Sequence, residues 1–326
     1  MRRREFIKLV GGAASWPTIT RAQQPGTPVI GFLHGATPDS YASFLAAFRK
    51  GLNEAGYIEG QNVTVEYRWA DNQLERLPEL AAELVRHRVS VIFAGGGSNP
   101  SLAAKAATST IPVVFASGVD PIDVGLVSNL NRPGGNITGI TFLINTLAGK
   151  QLEVLYQLVP KAAVIAVLLN PQIPTASAQL KDIQTAARIL GLQINVLYAS
   201  TERDFDMVFA SLVQAQAGGL VIGADAFLFS HRNQLIRLAT HNSVPTVYPW
   251  SEAVAAGGLV SYGTNVADAY HLAGGYIGSI LKGARPGELP IQQSVRVELI
   301  LNVKTAKALN LSVPPALLAR ADEVIE

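Results

Sequence analysis

Val29-Ile30-Gly31-Phe32-Leu33 and, 135 positions further on, Val164-Ile165-Ala166-Val167-Leu168 are two short apolar runs built alike. The second belongs to the eight-residue stretch Ala162–Leu169, bounded by Lys161 and Asn170. A bilayer span needs about 20 apolar residues, so these runs are strands rather than membrane helices. Apolar residues at every position, on both faces of the strand, indicate a parallel sheet covered on both sides.

Working outward, each run begins the same alternation. After Val29–His34 the periodicity predicts a helix over Ser40–Glu54, with Phe44, Leu45, Phe48 and Leu52 on one face. Strand Asn62–Trp69, helix Leu74–His87, strand Val89–Ala94, helix Asn99–Ser109 and strand Ile111–Ala116 follow. From Val164–Leu169 the order repeats, with helix Thr175–Leu190, strand Gln193–Tyr198, helix Glu202–Gln216, strand Gly219–Gly223, helix His231–His241 and strand Val244–Tyr248. Ala55-Gly56-Tyr57 closes one helix as Leu190-Gly191-Leu192 closes another, 135 positions on, with glycine where a left-handed cap is wanted. Ile111-Pro112-Val113-Val114 is echoed by Val244-Pro245-Thr246-Val247 after 133. Strands alternating with helices make the class α/β, and the ordered echoes make it two similar lobes.

The lobes are expected to be discontinuous. The turn cluster Asn131-Arg132-Pro133-Gly134-Gly135-Asn136 leads into a crossover strand over Ile137–Leu143. A strand over Gly257–Tyr262, a helix reaching Lys282 and a strand over Val295–Leu301 follow the second copy. The first lobe is assigned residues 28–142 with about 264–290, and the second 143–263 with about 291–326.

The 326 residues suit two lobes of roughly 130–150 residues. Hydrophobic residues at 48 % with charged residues at 15 % exclude a disordered chain. There is no cysteine, which excludes disulfides, thiolate metal sites and cysteine nucleophiles, and the five histidines form no metal-binding pair. Arg2-Arg3-Arg4-Glu5-Phe6-Ile7-Lys8, a mild apolar stretch and Thr20-Arg21-Ala22 read as an export signal of twin-arginine type, cleaved near Ala22. An ordinary secretion signal is the other reading of that segment. Without residues 1–22, Lys plus Arg falls from 26 to 21 and Asp plus Glu from 24 to 23, so the net charge changes from +2 to −2. A chain without a basic patch carries no electrostatic footprint for nucleic acid.

Ligands of open parallel sheets bind beyond the carboxyl ends of the strands, where helix N-termini also point. The loops after the strands therefore supply the candidates. Gly95-Gly96-Gly97-Ser98-Asn99 lets backbone approach a carboxylate or phosphate, while departing from both nucleotide-binding glycine motifs. Ser117 and Asn170 end two further strands. Asp120, Asp225 and Glu252 are acids able to meet a ligand ammonium, although Asp120, before Pro121, equally starts a turn. Phe227, Tyr248, Trp250 and Tyr262 are aromatics near the same mouth, as apt for packing as for contact, with Ser251 beside them. His34 reads as a hydrogen-bonded pocket residue. No nucleophile elbow of the G-x-S-x-G kind occurs, since Gly96-Gly97-Ser98-Asn99-Pro100 fails at its last position.

Several stretches resemble bacterial ABC-transporter substrate-binding proteins of the tryptophan/tyrosine type. They are Arg3-Arg4-Glu5-Phe6-Ile7, Glu59-Gly60-Gln61-Asn62-Val63, Leu80-Ala81-Ala82-Glu83-Leu84-Val85, Asn131-Arg132-Pro133-Gly134-Gly135-Asn136, Lys304-Thr305-Ala306-Lys307-Ala308-Leu309 and Val313-Pro314-Pro315. The resemblance implies a type I periplasmic-binding fold, with two Rossmann-like lobes and parallel sheets. It implies further a small amphipathic solute in the cleft, an amino acid or an aromatic carboxylate, and an inner-membrane ABC permease as partner. A monomeric periplasmic receptor with no cofactor and no catalysis of its own is the expectation. A periplasmic hydrolase using Asp225 or Glu252, and a sensory ligand-binding protein, are the alternatives on the same fold.

Overall fold

A computed structural model describes residues 26–142, 146–294 and 296–326. The segment read as an export signal, the last residue of the expected crossover strand Ile137–Leu143 and the first of the expected strand Val295–Leu301 lie outside them. In chain order the elements of the first half are β1 (Val29–His34), α1 (Ala42–Glu54), β2 (Thr64–Trp69), α2 (Leu77–Arg86), β3 (Val91–Gly95), α3 (Ser98–Ala107), β4 (Val113–Ser117) and β5 (Ile137–Thr141). The second half holds α4 (Ala148–Leu158), β6 (Val164–Leu169), α5 (Ala176–Leu190), β7 (Gln193–Tyr198), α6 (Asp204–Gln214), β8 (Leu220–Ile222), α7 (Ala226–Ser230), α8 (Arg232–His241), β9 (Thr246–Tyr248), α9 (Ser251–Ala255) and β10 (Val260–Thr264). Then come α10 (Val266–Leu281), β11 (Gln292–Gln293), β12 (Val297–Asn302), α11 (Val303–Ala308), α12 (Pro315–Leu318) and β13 (Glu323–Ile325).

Two sheets form. The first has the order β11-β5-β4-β3-β1-β2 and the second β13-β12-β10-β9-β8-β6-β7. All pairs in the first sheet are parallel. The second is parallel except where β12 runs antiparallel to β10, with Val260 opposite Leu301 and Thr264 opposite Val297. The helix expected over His231–His241 is α8, and a short helix α7 precedes it in the loop expected after Gly219–Gly223, capped by Asp225, which accepts from the Leu228 N–H at 3.0 Å.

The alternation of side chains explains why each sheet needs helices on both faces. Ile30 and Phe32 pack with Phe44, Phe48, Leu52 and Tyr270 on the α1/α10 side, whereas Leu33 joins Leu80 and Leu84 on the α2 side. Likewise Ile165, Val167 and Leu169 face α4 and α5, while Ala166 and Leu168 face the other way, towards Phe205 and Leu228. Removing each such side chain from water contributes about 1.5–3 kcal/mol.

The chain passes between the sheets three times. It leaves β5 of the first for α4, which packs against β8, β9 and β10 of the second. From β10 it returns through α10, which lies along α1 and over β3, β4 and β5. Gln292 and Gln293 still pair with Ile140 and Thr141 of the first sheet, and β12 then rejoins the second. The last passage therefore falls after residue 293.

The α1–α10 crossing is unusually close because glycines meet there. A Cβ on Gly51 would strike the His271 carbonyl, one on Gly274 the Phe48 carbonyl, and one on Gly278 the Ala55 methyl. Gly275, one residue along from Gly274, faces open space. Gly274→Val should therefore cost about 1–3 kcal/mol through overpacking, whereas Gly275→Ala should gain up to about 1 kcal/mol of helix propensity. Urea denaturation of the two variants checks this, and equal effects would refute the close crossing.

Candidate functional site

The carboxyl ends of both sheets face one cleft that holds about 880 Å³, mouth included. Its first-lobe wall is made by Gly35 after β1, Asn72 and Leu74 after β2, Gly96–Asn99 after β3 and Ser117–Val119 after β4. Tyr41, Phe44, Phe142, Val266 and Tyr270 complete that wall. From the second lobe come Asn170, Gln172, Ile173 and Thr175 after β6, Ser200 after β7, Ala224–Phe227 after β8 and Trp250 after β9.

The two walls differ in charge. At the first, Gly97 precedes α3 with φ 111° and gives it no side-chain cap, so the N–H groups of Ser98 and Asn99, ahead of Pro100, have no capping side chain. Gly96 has φ 79°, and the place of a Cβ there is taken by the His34 ring. Ser117 is fully buried at the cleft, and its Oγ has no hydrogen-bond partner among the described residues. A buried hydroxyl without a partner costs about 1–3 kcal/mol unless something accepts or donates to it. The dipole end of α3 and this hydroxyl together favour an anion.

The second wall carries a carboxylate. Asp225 Oδ1 accepts from the Leu228 N–H at 3.0 Å and from Asn170 Nδ2 at 3.2 Å. Asn170 in turn accepts the Gln172 N–H at 3.0 Å, which fixes its amide. Burial raises the Asp225 carboxyl above the usual range, and these hydrogen bonds oppose the rise. A cation brought to it would be stabilised in a poorly hydrated place.

The candidates from sequence divide into two groups. Gly96, Gly97, Ser98, Asn99, Ser117, Asn170, Asp225, Phe227 and Trp250 line the cleft. His34, Asp120, Tyr248, Ser251, Glu252 and Tyr262 do not. His34 ends β1 with its ring turned inward, 0 % exposed, behind Tyr270. Asp120 is exposed and spends Oδ1 on the Ile122 N–H at 2.8 Å, the turn its proline suggested. Tyr248 is buried under α8, and Tyr262 packs on the opposite face of its sheet. Ser251 and Glu252 open α9, with 3.4 Å between Ser251 Oγ and the Glu252 carboxylate. Tyr41, Phe44, Asn72, Leu74, Gln172, Thr175, Ser200 and Tyr270 reach the cleft unannounced. Asn72 carried one usable signal, since it follows a strand end as the chosen loops do.

The walls also touch directly at one side. Phe229 of α7 stacks on Phe44 at 5.2 Å and meets Tyr41 at 4.8 Å, centroid to centroid. The Ser40 and Ser230 hydroxyls are 3.0 Å apart, and Arg232 donates to the Ser40 carbonyl at 3.3 Å.

Residues 29–325 match the family model described as ABC transporter substrate binding protein. The chain belongs to that family. A curated relative, the tyrosine-binding protein of Clostridioides difficile, is 28 % identical over 265 residues, 81 % of this chain and 75 % of that one. Among solved structures, a conserved domain protein of Vibrio cholerae superposes with TM-score 0.84 at 23 % identity, covering 91 % of this chain and 99 % of the other. An ABC domain in complex with L-Trp from Streptococcus pneumonia gives TM-score 0.82 at 22 % identity, covering 92 % and 100 %. The architecture is that of the type I periplasmic binding proteins. Among the described residues of this substrate-binding protein, no helix is long and apolar enough to cross a membrane, and no group of three His, Asp or Glu side chains is placed to hold a metal.

Burial holds the His34 imidazole down to a pKa of about 3. The unfolded chain, with a value near 6.5, takes up a proton below that pH which the folded chain refuses. Stability is therefore full above about pH 6.5 and falls as pH drops towards 3, by up to about 1.4 kcal/mol per pH unit. Denaturation at pH 7 and pH 5 should show this slope in the native protein and its loss in His34→Gln; an unchanged slope would count against a neutral buried ring.

Proposed function

We propose that the chain is the exported solute receptor of an ABC importer and that it captures an α-amino acid with an aromatic side chain. The observation that carries this reading is the opposition of charge across the cleft. The α3 N-terminus with Ser98 and Ser117 suits a carboxylate, and Asp225 with Asn170 on the other lobe suits an ammonium. One zwitterion satisfies both, and only when the lobes are together. Phe44, Phe142, Phe227 and Trp250 supply the apolar and aromatic surface for a ring. The names of the tyrosine-binding relative and of the L-Trp complex agree with that choice.

A solute held by both lobes favours the closed form by the difference of its affinities for closed and open. Exclusion of water then strengthens the charge-assisted hydrogen bonds at its two ends. The closed receptor, a periplasmic monomer, is presented to a membrane permease whose ATPase does the work, and the receptor itself catalyses nothing. The arginine-rich N-terminal sequence, read as an export signal, supports the periplasmic placement.

Titration calorimetry with L-tyrosine, L-tryptophan, L-leucine and a sugar tests the reading. One aromatic amino acid should bind one-to-one without turnover. Asp225→Asn should weaken it about tenfold or more, and Ser98→Ala with Ser117→Ala should do likewise from the other end. Unchanged affinity in both sets would remove the zwitterion clamp, and appearance of product would point to an enzyme.

A further inference from the structure

Between α3 and α10 the cleft wall contains a hydrogen-bond chain that the zwitterion clamp does not use. It starts at the backbone N–H of Ala36, which donates to His34 Nδ1 at 3.0 Å. A neutral imidazole carries a single ring proton, so accepting at Nδ1 leaves that proton on Nε2. The ring cannot turn away. It is enclosed by the rings of Phe32, Tyr41 and Trp69, the last two with centroids 4.2 and 4.6 Å off, and it fills the place that a Cβ on Gly96 would take.

Nε2 lies 2.8 Å from the Tyr270 hydroxyl. With the proton on Nε2, the histidine donates and the phenolic oxygen accepts. With the phenolic oxygen accepting from Nε2, the hydroxyl proton is what remains to be placed. Nε2, which holds a proton and so cannot accept, is the hydrogen-bond partner of this hydroxyl among the described residues. Tyr270 lines the cleft beside Gly96, Gly97 and Ser98, at the anion-favouring corner.

We propose that His34 is a positioning residue that locks Tyr270 as a hydrogen-bond donor to the bound solute, and that the solute atom it meets is a carboxylate oxygen. The inference deepens the amino-acid reading and rests on it. It gives a buried side chain that never touches the solute a part in choosing it: a hydroxyl able to swap donor and acceptor roles becomes a donor only. A solute presenting an N–H at that corner is refused, because two donors would face each other with no water to separate them.

Long-range nitrogen–proton NMR of the purified protein without added solute should show His34 as the neutral Nε2–H tautomer, and an Nδ1–H tautomer would overturn the proposal. Calorimetry then compares L-tryptophan and L-tyrosine with tryptamine and tyramine, which keep ring and ammonium but lack the carboxylate. Tyr270→Phe should weaken the amino acids about tenfold, the worth of one hydrogen bond to a charged group, and leave the amines unchanged. His34→Leu should follow Tyr270→Phe, and His34→Gln, which keeps a donor within similar reach, should restore most of the affinity. Equal losses for acids and amines, or native affinity in His34→Leu, would overturn the relay. If His34→Leu does not fold, Tyr270→Phe and the tautomer decide. If the native protein binds none of the four solutes, the amino-acid reading fails by itself. Acetate then serves as the probe, followed at the His34 Nε2–H resonance: a shift abolished in Tyr270→Phe supports the relay, and no shift overturns it.

Discussion

Everything at the cleft depends on the two parallel sheets pointing their carboxyl ends at one another. A parallel strand delivers its following loop, and the N-terminus of its following helix, to the same edge of the sheet. Set two such edges face to face and the backbone donors of one lobe and the carboxylate of the other look into a single space. The opposition of α3 and Asp225 is a consequence of topology before it is a matter of particular side chains.

That opposition is kept in register by the threading of the chain. Because α10 follows a second-lobe strand yet lies on the first sheet, and β11 and β12 belong to different sheets, neither lobe is a continuous piece of sequence. The glycines at the α1–α10 crossing let the returning helix lie close enough for Tyr270 to reach past Gly95 and Gly96 to the cleft. The lobes then share apolar surface: Tyr41 and Phe44 of one and Phe229 and Trp250 of the other belong to one continuous core cluster. These rings join the two lobes across one side of the cleft.

Within this frame the polar groups divide into those that hold the wall and those left open. Asn170 is fixed by Gln172, and His34 by Ala36 and Tyr270. Among the described residues, Ser117 Oγ has no hydrogen-bond partner and α3 has no side-chain cap.

The strand–helix alternation, its near-repeat at 135 residues and the loops at Gly96–Asn99, Ser117, Asn170 and Asp225 were legible in the chain itself. The reason is that period and strand ends are local properties, and in a parallel sheet a strand end has a predictable destination. Side-chain parity is not local in that sense. Whether His34 looks outward or inward, and whether Tyr262 or Tyr248 meets the cleft or a helix, turns on how each strand is twisted and covered by elements far away in sequence. Tyr270 shows the same limit most clearly: the sequence assigned its helix to the first lobe, but nothing near residue 270 says that its hydroxyl ends up 2.8 Å from a histidine 236 positions earlier. Alternation along the chain establishes which elements form and which edge their loops reach; packing between distant elements, which alone decides burial and pairing, selects the side chains that stand at that edge.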